Sequence, residues 1–259
     1  MKTNIRVIQP DFSGCKNMDE RREHVYSLLE SLAGQSLDLV TLPELWSVGF
    51  GNYDDYEDCA ERLNDSKTLD ELKRYAREYN TYIFTGSMVE KRHGNLYNTS
   101  VLLDRRGDIA ARYRKIHLFG YESRESKILT AGEEAVVVET DFGRVGIATC
   151  YDLRFPEQFR IMLLKDVEMF IIAADWPALR GEAFRLFCRA RALENQSFLV
   201  ATNCAGGESA GLSCVINPEG EVLAQAGAAQ RIIPCEIDLS DAQKYRREFP
   251  AVVDIVSVK

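Results

Sequence analysis

What most constrains this chain is a series of short apolar segments, rich in β-branched residues, that recurs from one end to the other. They fall near 4–9, 37–42, 81–89, 96–104, 108–115, 135–139, 144–149, 168–174, 197–203, 211–217, 221–225 and 231–237. Each has strand length and is either alternating or wholly apolar, the patterns of strands buried on one face or on both. Helical periodicity is clearest in three stretches. "MDERREHVYSLLESLAG" (18–34) ends on a glycine suited to a C-cap, and "SKTLDELKRYAREYN" (66–80) opens on a serine cap and ends in Asn. "RGEAFRLFCRARALENQ" (180–196) carries apolar residues at Phe184, Phe187, Ala190 and Leu193. A fourth helix should begin at Pro156, since proline suits a first helical turn. Strands alternate with helices early and pair with one another later, which predicts an α/β layered architecture, with sheets covered by helices. No Pro/Gly/Ser-rich linker divides the chain, so residues 1–259 read as one domain. "LDLVTLPELW" (37–46) and "EMFIIAADWP" (168–177) echo each other faintly: both are apolar runs that stop at an acid beside a tryptophan.

Composition narrows the function. The 259 residues are 46% hydrophobic and 28% charged, enough apolar material for a sizeable core. A net charge of -8 without a long Lys/Arg run argues against a nucleic-acid or membrane-surface partner. The N-terminal "MKTNIRVIQPDFSG" has no apolar signal core, and no stretch approaches the roughly 18 apolar residues of a membrane span, so a cytoplasmic protein is expected. The seven cysteines, at 15, 59, 150, 188, 204, 214 and 235, have no CxxC spacing and no accompanying histidine cluster. No metal site is expected, and most of these thiols should be small, reduced, buried hydrophobes.

Ligand sites in open α/β sheets gather beyond the carboxyl ends of strands, and three strand ends carry reactive groups. After "DLVTL", Pro43 stops the strand and Glu44 follows beside Leu45 and Trp46; a carboxylate in apolar company is pushed toward a general base, although a capping or surface acid is the plainer reading. After "IAARY" come Lys115 and His117, two apart and so on one side of an extended strand. Lys115 is a compact charge suited to an oxyanion; His117 is a candidate partner for a Cys–His pair, or a core histidine. After "GRVGIAT", Cys150 sits where a strand turns toward a helix, a position that exposes a nucleophile near backbone N–H groups and a helix N-terminus. A buried packing cysteine is the alternative.

Together, "TLPELW", "YRKIHLF" and "GIATCYDLRFPE" resemble the nitrilase superfamily of carbon–nitrogen hydrolases. So do "ESKILTAGEEAVVVETDFGRVG", "ARALENQSFLVATNCAG" and "INPEGEVLAQAG…IIPCEIDL", which carries the resemblance over about residues 4 to 250. It implies a four-layer α-β-β-α sandwich, commonly a homodimer, and a Glu–Lys–Cys catalytic set without a cofactor. Carried over, Glu44 is the general base, Lys115 the oxyanion stabiliser and Cys150 the nucleophile, with the backbone N–H of Tyr151 assisting; His117 becomes structural. Glu125 in "RESK" matches the family's second glutamate, with Glu122 as fallback. Arg154 reads as scaffolding of the turn through a nearby acid, or as a contact to a substrate carboxylate; Trp176 reads as pocket lining or core.

"CYDLRFPE" looks most like the omega-amidase branch, which hydrolyses the terminal amide of small dicarboxylic monoamides such as 2-oxoglutaramate. The branch acting on deaminated glutathione is close in motif, and N-carbamoyl or aliphatic amide hydrolases lie further off. Two rivals of another class remain. A silent scaffold should lack Glu, Lys or Cys, and all three are present. A redox thiol needs a resolving cysteine, and the nearest in sequence, Cys188, falls mid-helix.

Overall fold

A computed structural model describes residues 2–255. Met1 and residues 256–259, the ends of the single-domain reading, lie outside the described residues. The chain forms two six-stranded mixed sheets. The first comprises β1 (Lys2–Gln9), β2 (Leu39–Thr41), β3 (Tyr82–Arg92), β4 (Asn95–Leu103), β5 (Ile109–Arg114) and, from the far end of the chain, β12 (Arg231–Asp238), in the order β12-β1-β2-β3-β4-β5. The second comprises β6 (Val136–Thr140), β7 (Gly143–Thr149), β8 (Met169–Ala173), β9 (Phe198–Thr202), β10 (Cys214–Ile216) and β11 (Val222–Gln225), in the order β11-β10-β9-β8-β7-β6. Every apolar run singled out in the sequence overlaps one of these strands.

The two sheets share a plan. β1, β2 and β3 run parallel, flanked by antiparallel β12 on one side and β4–β5 on the other. β7, β8 and β9 run parallel, flanked by antiparallel β6 and by β10–β11. The echoing segments 37–46 and 168–177 thus hold equivalent places, the middle strand of each parallel trio.

Helices α1 (Met18–Glu30) and α3 (Lys67–Glu78) cover the first sheet; α5 (Pro156–Leu163) and α6 (Gly181–Asn195) cover the second. Short α2 (Tyr56–Cys59) and α4 (Glu125–Ile128) lie in connections, and α7 (Ser240–Glu248) follows β12. Asn17 caps α1 by accepting from Glu20 N at 2.9 Å, and Ser66 caps α3 by accepting from Leu69 N at 3.0 Å. Alternate residues of each strand enter different layers. Ile5, Val7, Phe84 and Tyr113 meet Val145, Ile147, Ile171 and Val200 between the sheets. Val40, Ile83 and Val101 face Leu29 and Leu72, while Ala148, Phe170 and Leu199 face Phe159 and Phe184. The result is the α-β-β-α sandwich, in which a central strand such as β8 (MFIIA) is buried on both faces and wholly apolar.

Three expectations need correction. α1 ends at Glu30 and unwinds through a turn before Gly34, whose φ is +76°. α6 does not bury the face 184/187/190/193. A spacing of three drifts around a 3.6-residue helix, and the buried face is Phe184, Cys188, Arg191, Ala192 and Asn195, leaving Leu193 51% exposed. α7 was not expected, because "SDAQKYRRE" carries too few apolar residues to display a face. Among the described residues no helix is long and apolar enough to cross a membrane.

Candidate active site

The carboxyl ends of β2, β5 and β7 converge at the junction of the two sheets. Beyond β2, the chain turns at Leu42–Pro43 against a bulge in β3, where a Cβ on Gly86 (φ +68°) would lie 1.9 Å from the Pro43 carbonyl oxygen; only glycine permits this approach. Leu45 N donates to Ser87 Oγ and Trp46 Nε1 donates to the Thr85 carbonyl, which fixes the turn. Glu44 N donates across to the Ala174 carbonyl of the second sheet at 3.2 Å. The acid is fully buried, but its company is polar rather than apolar. Lys115 Nζ and Asn98 Nδ2 each donate to its Oε1 at 2.8 Å, and Asp175 N donates to its Oε2 at 3.1 Å.

Lys115 follows β5 and is held by its main chain, its N–H donating to the Asn98 carbonyl and its own carbonyl accepting from Gly132 N. Its ammonium also donates to both oxygens of Glu125, at 2.9 and 3.0 Å. Glu125, the first residue of α4, accepts further bonds from Phe119 N at 2.7 Å and Asn98 Nδ2 at 3.1 Å. Glu122 stands exposed with left-handed φ of 50° and makes no ion pair with Lys115, so Glu125 is the second glutamate of the cluster. Burial lowers the pKa of Lys115, but Glu125 and Glu44 outweigh it and hold it well above its ordinary value. Burial raises Glu125; Lys115 opposes the rise and Glu44 adds to it.

Cys150 follows β7 as the first residue of a 3₁₀ turn, Cys150–Arg154, that leads toward α5, and its φ of 48° is a left-handed backbone rare for a side-chain-bearing residue. Asp152 fixes this bend. Its carboxylate accepts from Thr149 N at 2.8 Å, from the Tyr113 hydroxyl, and from His117 N and Nδ1 at 3.0 and 2.8 Å. The His117 ring stacks on Phe155 with centroids 3.7 Å apart. His117 is engaged by Asp152 and Phe155, whereas the charges of Glu44 and Lys115 act on Cys150, which favours the Glu–Lys–Cys set over a Cys–His pair. Burial first and Glu44 second push the thiol well above its ordinary value, against the pull of Lys115. Cys150 therefore rests as a thiol.

Cys150 lines a pocket of about 810 Å³. Tyr151, Trp176, Arg154, Arg180 and Asp175 line it. Trp176 serves both readings offered for it: it borders the pocket and packs on Phe184 in the core. Arg154 is not tied to the acid of the turn, because Asp152 is taken by His117 and Tyr113. Its guanidinium lies 5.2 Å from the Trp176 ring centre and 5.1 Å from that of Phe187, and no carboxylate pairs with it among the described residues. Asp175 accepts from Ser209 Oγ at 2.5 Å; burial and then Glu44 raise it to about 6, while Ser209 and Arg21 pull it down. Asn98 and Asp175 escaped sequence reasoning. For Asp175 the acid–Trp echo was the available signal; for Asn98 it was only that asparagine is disfavoured inside a strand.

The carbon–nitrogen hydrolase family model matches residues 5–247. The chain belongs to this family of hydrolases, which act on C–N bonds other than peptide bonds. It is 34% identical to the 2-oxoglutaramate amidase of Bacillus subtilis, over 98% of each chain, and 32% identical to omega-amidase NIT2 of Homo sapiens, over 95% of this chain and 92% of that one. Among solved structures, a CN-hydrolase superfamily protein from Xanthomonas campestris with an arsenic adduct in its active site superposes with a TM-score of 0.90 at 28% identity, covering 100% of this chain and 99% of that one.

Proposed function

We propose that the protein is an omega-amidase-like enzyme that releases ammonia from a small dicarboxylic monoamide of the 2-oxoglutaramate type through a thioester on Cys150. The observation that carries this reading is that Cys150 lines the pocket while Glu44 and Lys115, bonded to each other and buried, both act on its thiol. Among the described residues Oε1 of Glu44 accepts from Lys115 and Asn98, whereas Oε2 accepts from Asp175 N, so Oε2 is the oxygen with room for the thiol proton. The thiolate attacks the amide carbon, and Lys115 with the Tyr151 N–H meets the charge on the carbonyl oxygen. Glu44 returns the proton to the departing nitrogen, then activates water to cleave the thioester. Glu125 keeps Lys115 charged and in place. Arg154, a guanidinium without an acid partner on the pocket wall, supplies the charge for the substrate's distal carboxylate.

Ammonia release from 2-oxoglutaramate, glutaramate, succinamate and an aliphatic nitrile, by wild type and Cys150→Ala, tests the reading. Release from the carboxylate-bearing amides that vanishes in Cys150→Ala supports it; release that survives the substitution refutes the nucleophile. The pathway through a free thiol, and the absence of any disulfide among the described cysteines, fit a reducing compartment such as the cytoplasm.

A homodimer is the assembly this reading favours. Ile161 and Leu164 on and just beyond α5, and Leu186 and Leu193 on α6, are 49, 72, 66 and 51% exposed on the outer helical layer, an apolar surface that a second copy would cover. Sedimentation of Leu186→Glu checks it: the account expects a shift toward monomer, and a wild-type protein that sediments as a monomer refutes it.

A further inference from the structure

We propose that Asn98 is a positioning residue of the catalytic cluster, a two-handed donor that locks both glutamates to one lysine and leaves a single oxygen of Glu44 able to take the thiol proton. The inference rests on the amidase reading for its kinetics but not for its geometry.

Asn98 lies in β4, 1% exposed, with its main chain paired to Lys115 N. Its one amide nitrogen donates to Glu44 Oε1 at 2.8 Å and to Glu125 Oε1 at 3.1 Å, so both hydrogens are spent on carboxylates. Its Oδ1 is buried without a partner. Turning the amide over would satisfy nothing and would set that oxygen against two acids; the orientation is therefore dictated by charge. A buried acceptor left bare is a cost the fold accepts where the donor side has a task. Lys115 cannot perform that task alone. It serves two carboxylates, and it donates to the same Oε1 of Glu44 that Asn98 holds. Asn98 thus completes the occupation of Oε1, which leaves Oε2 for the proton and stops the carboxylate from rotating. It also supplies an uncharged donor where a second lysine would cancel the base.

The groups facing Asn98 are Glu44 beyond β2, Lys115 beyond β5 and Glu125 of α4; Cys150 beyond β7 acts on that cluster, and the buried Tyr56 hydroxyl of α2 senses Glu125 and Glu44. Donated hydrogen bonds favour ionised carboxylates. Removing them moves the acidic limb of any process that uses the acids as bases to higher pH.

The experiment compares Asn98→Ala and Asn98→Asp with wild type by two readouts: pH profiles of kcat and KM on glutaramate, and pH profiles of Cys150 alkylation by iodoacetamide. Asn98→Asp keeps shape and replaces donors with an acceptor. The account expects Asn98→Ala to lose about 10- to 100-fold in kcat with KM within about 3-fold, Asn98→Asp to lose more, and both acidic limbs to rise by about half a unit or more. A space-filling role predicts the reverse order, with Asn98→Asp near wild type. That order, or limbs that stay put in a folded variant, overturns the proposal. If Asn98→Asp does not fold, Asn98→Ser, whose single short donor cannot span both acids, should match Asn98→Ala, and wild-type kinetics in it count against the proposal. If wild type releases no ammonia from any amide, the amidase reading fails while alkylation still decides the role of Asn98.

Discussion

Glu44 and Asp175 stand at equivalent places in the two halves of the sandwich. Each follows the middle strand of a parallel trio and each sits beside a tryptophan at the strand's carboxyl end. They differ in what meets them. Glu44 is fully buried and accepts three hydrogen bonds, two of them from side chains of its own sheet. Asp175 borders the pocket, has a serine as its bonded side-chain partner, and is raised to about 6. The same strand end thus yields a fixed base in one half and a pocket acid in the other. The donors decide this: Asn98 and Lys115 stand on the first sheet, and on the second that part of the site belongs to Cys150 and the aromatic wall. In the proposed mechanism the first half supplies the proton chemistry, and the second supplies the nucleophile and most of the pocket lining.

Substitutions can break this comparison, and after loss of the nucleophile itself the largest effects on turnover belong to the first half. Glu44→Gln keeps the shape and removes the base, so ammonia release should fall about 10³-fold or more in a folded protein. Lys115→Met should be comparably inactive, and it leaves two buried acids without a cation, costing about 3–5 kcal/mol. That cost should shrink as pH falls and the acids take up protons, so urea unfolding at pH 5 and pH 8 should show the larger deficit at pH 8. Arg154→Ala should lower kcat/KM on glutaramate about 10- to 100-fold while sparing a neutral aliphatic amide, because only a charge-assisted contact is lost.

Asp175→Asn should be mildest, within about 5-fold in turnover, since it removes no proton acceptor the mechanism uses. Its stability effect has a definite sign. Asp175 binds its proton more tightly folded than unfolded, so the wild-type fold bears a cost that is absent below about 4 and complete above about 6. Asn is neutral throughout. The variant should therefore gain about 1–3 kcal/mol over wild type above pH 6 and nothing below pH 4, read by denaturant titration. A variant as inactive as Glu44→Gln would erase the distinction between the halves.

Strand positions were legible in the sequence because central strands packed on both faces are continuous apolar runs. So were Glu44, Lys115 and Cys150, each at the end of such a run and each in its own motif. What the sequence concealed were partnerships across long separations. Arg154 reads as paired with a nearby acid, yet no carboxylate pairs with it among the described residues, and Asp152 of the same turn meets Tyr113 and His117, 39 and 35 positions away. Asn98 meets Glu44 across 54 positions, with no local spacing to announce it. The face of α6 was misread because an i+3 apolar series does not follow a helical stripe, and the exposed Leu186 and Leu193 belong to a different surface from Phe184.

The central claim is that Cys150 carries the acyl group while Glu44 and Lys115 serve it. Glutaramate mixed with wild type, quenched in acid within milliseconds and mapped by peptide mass spectrometry, tests it most directly, with Cys150→Ala run beside it for ammonia. The account predicts a glutaryl mass on the peptide holding Cys150 and no ammonia above background from the variant. A glutaryl mass on any other residue, or undiminished ammonia release by Cys150→Ala, would contradict it.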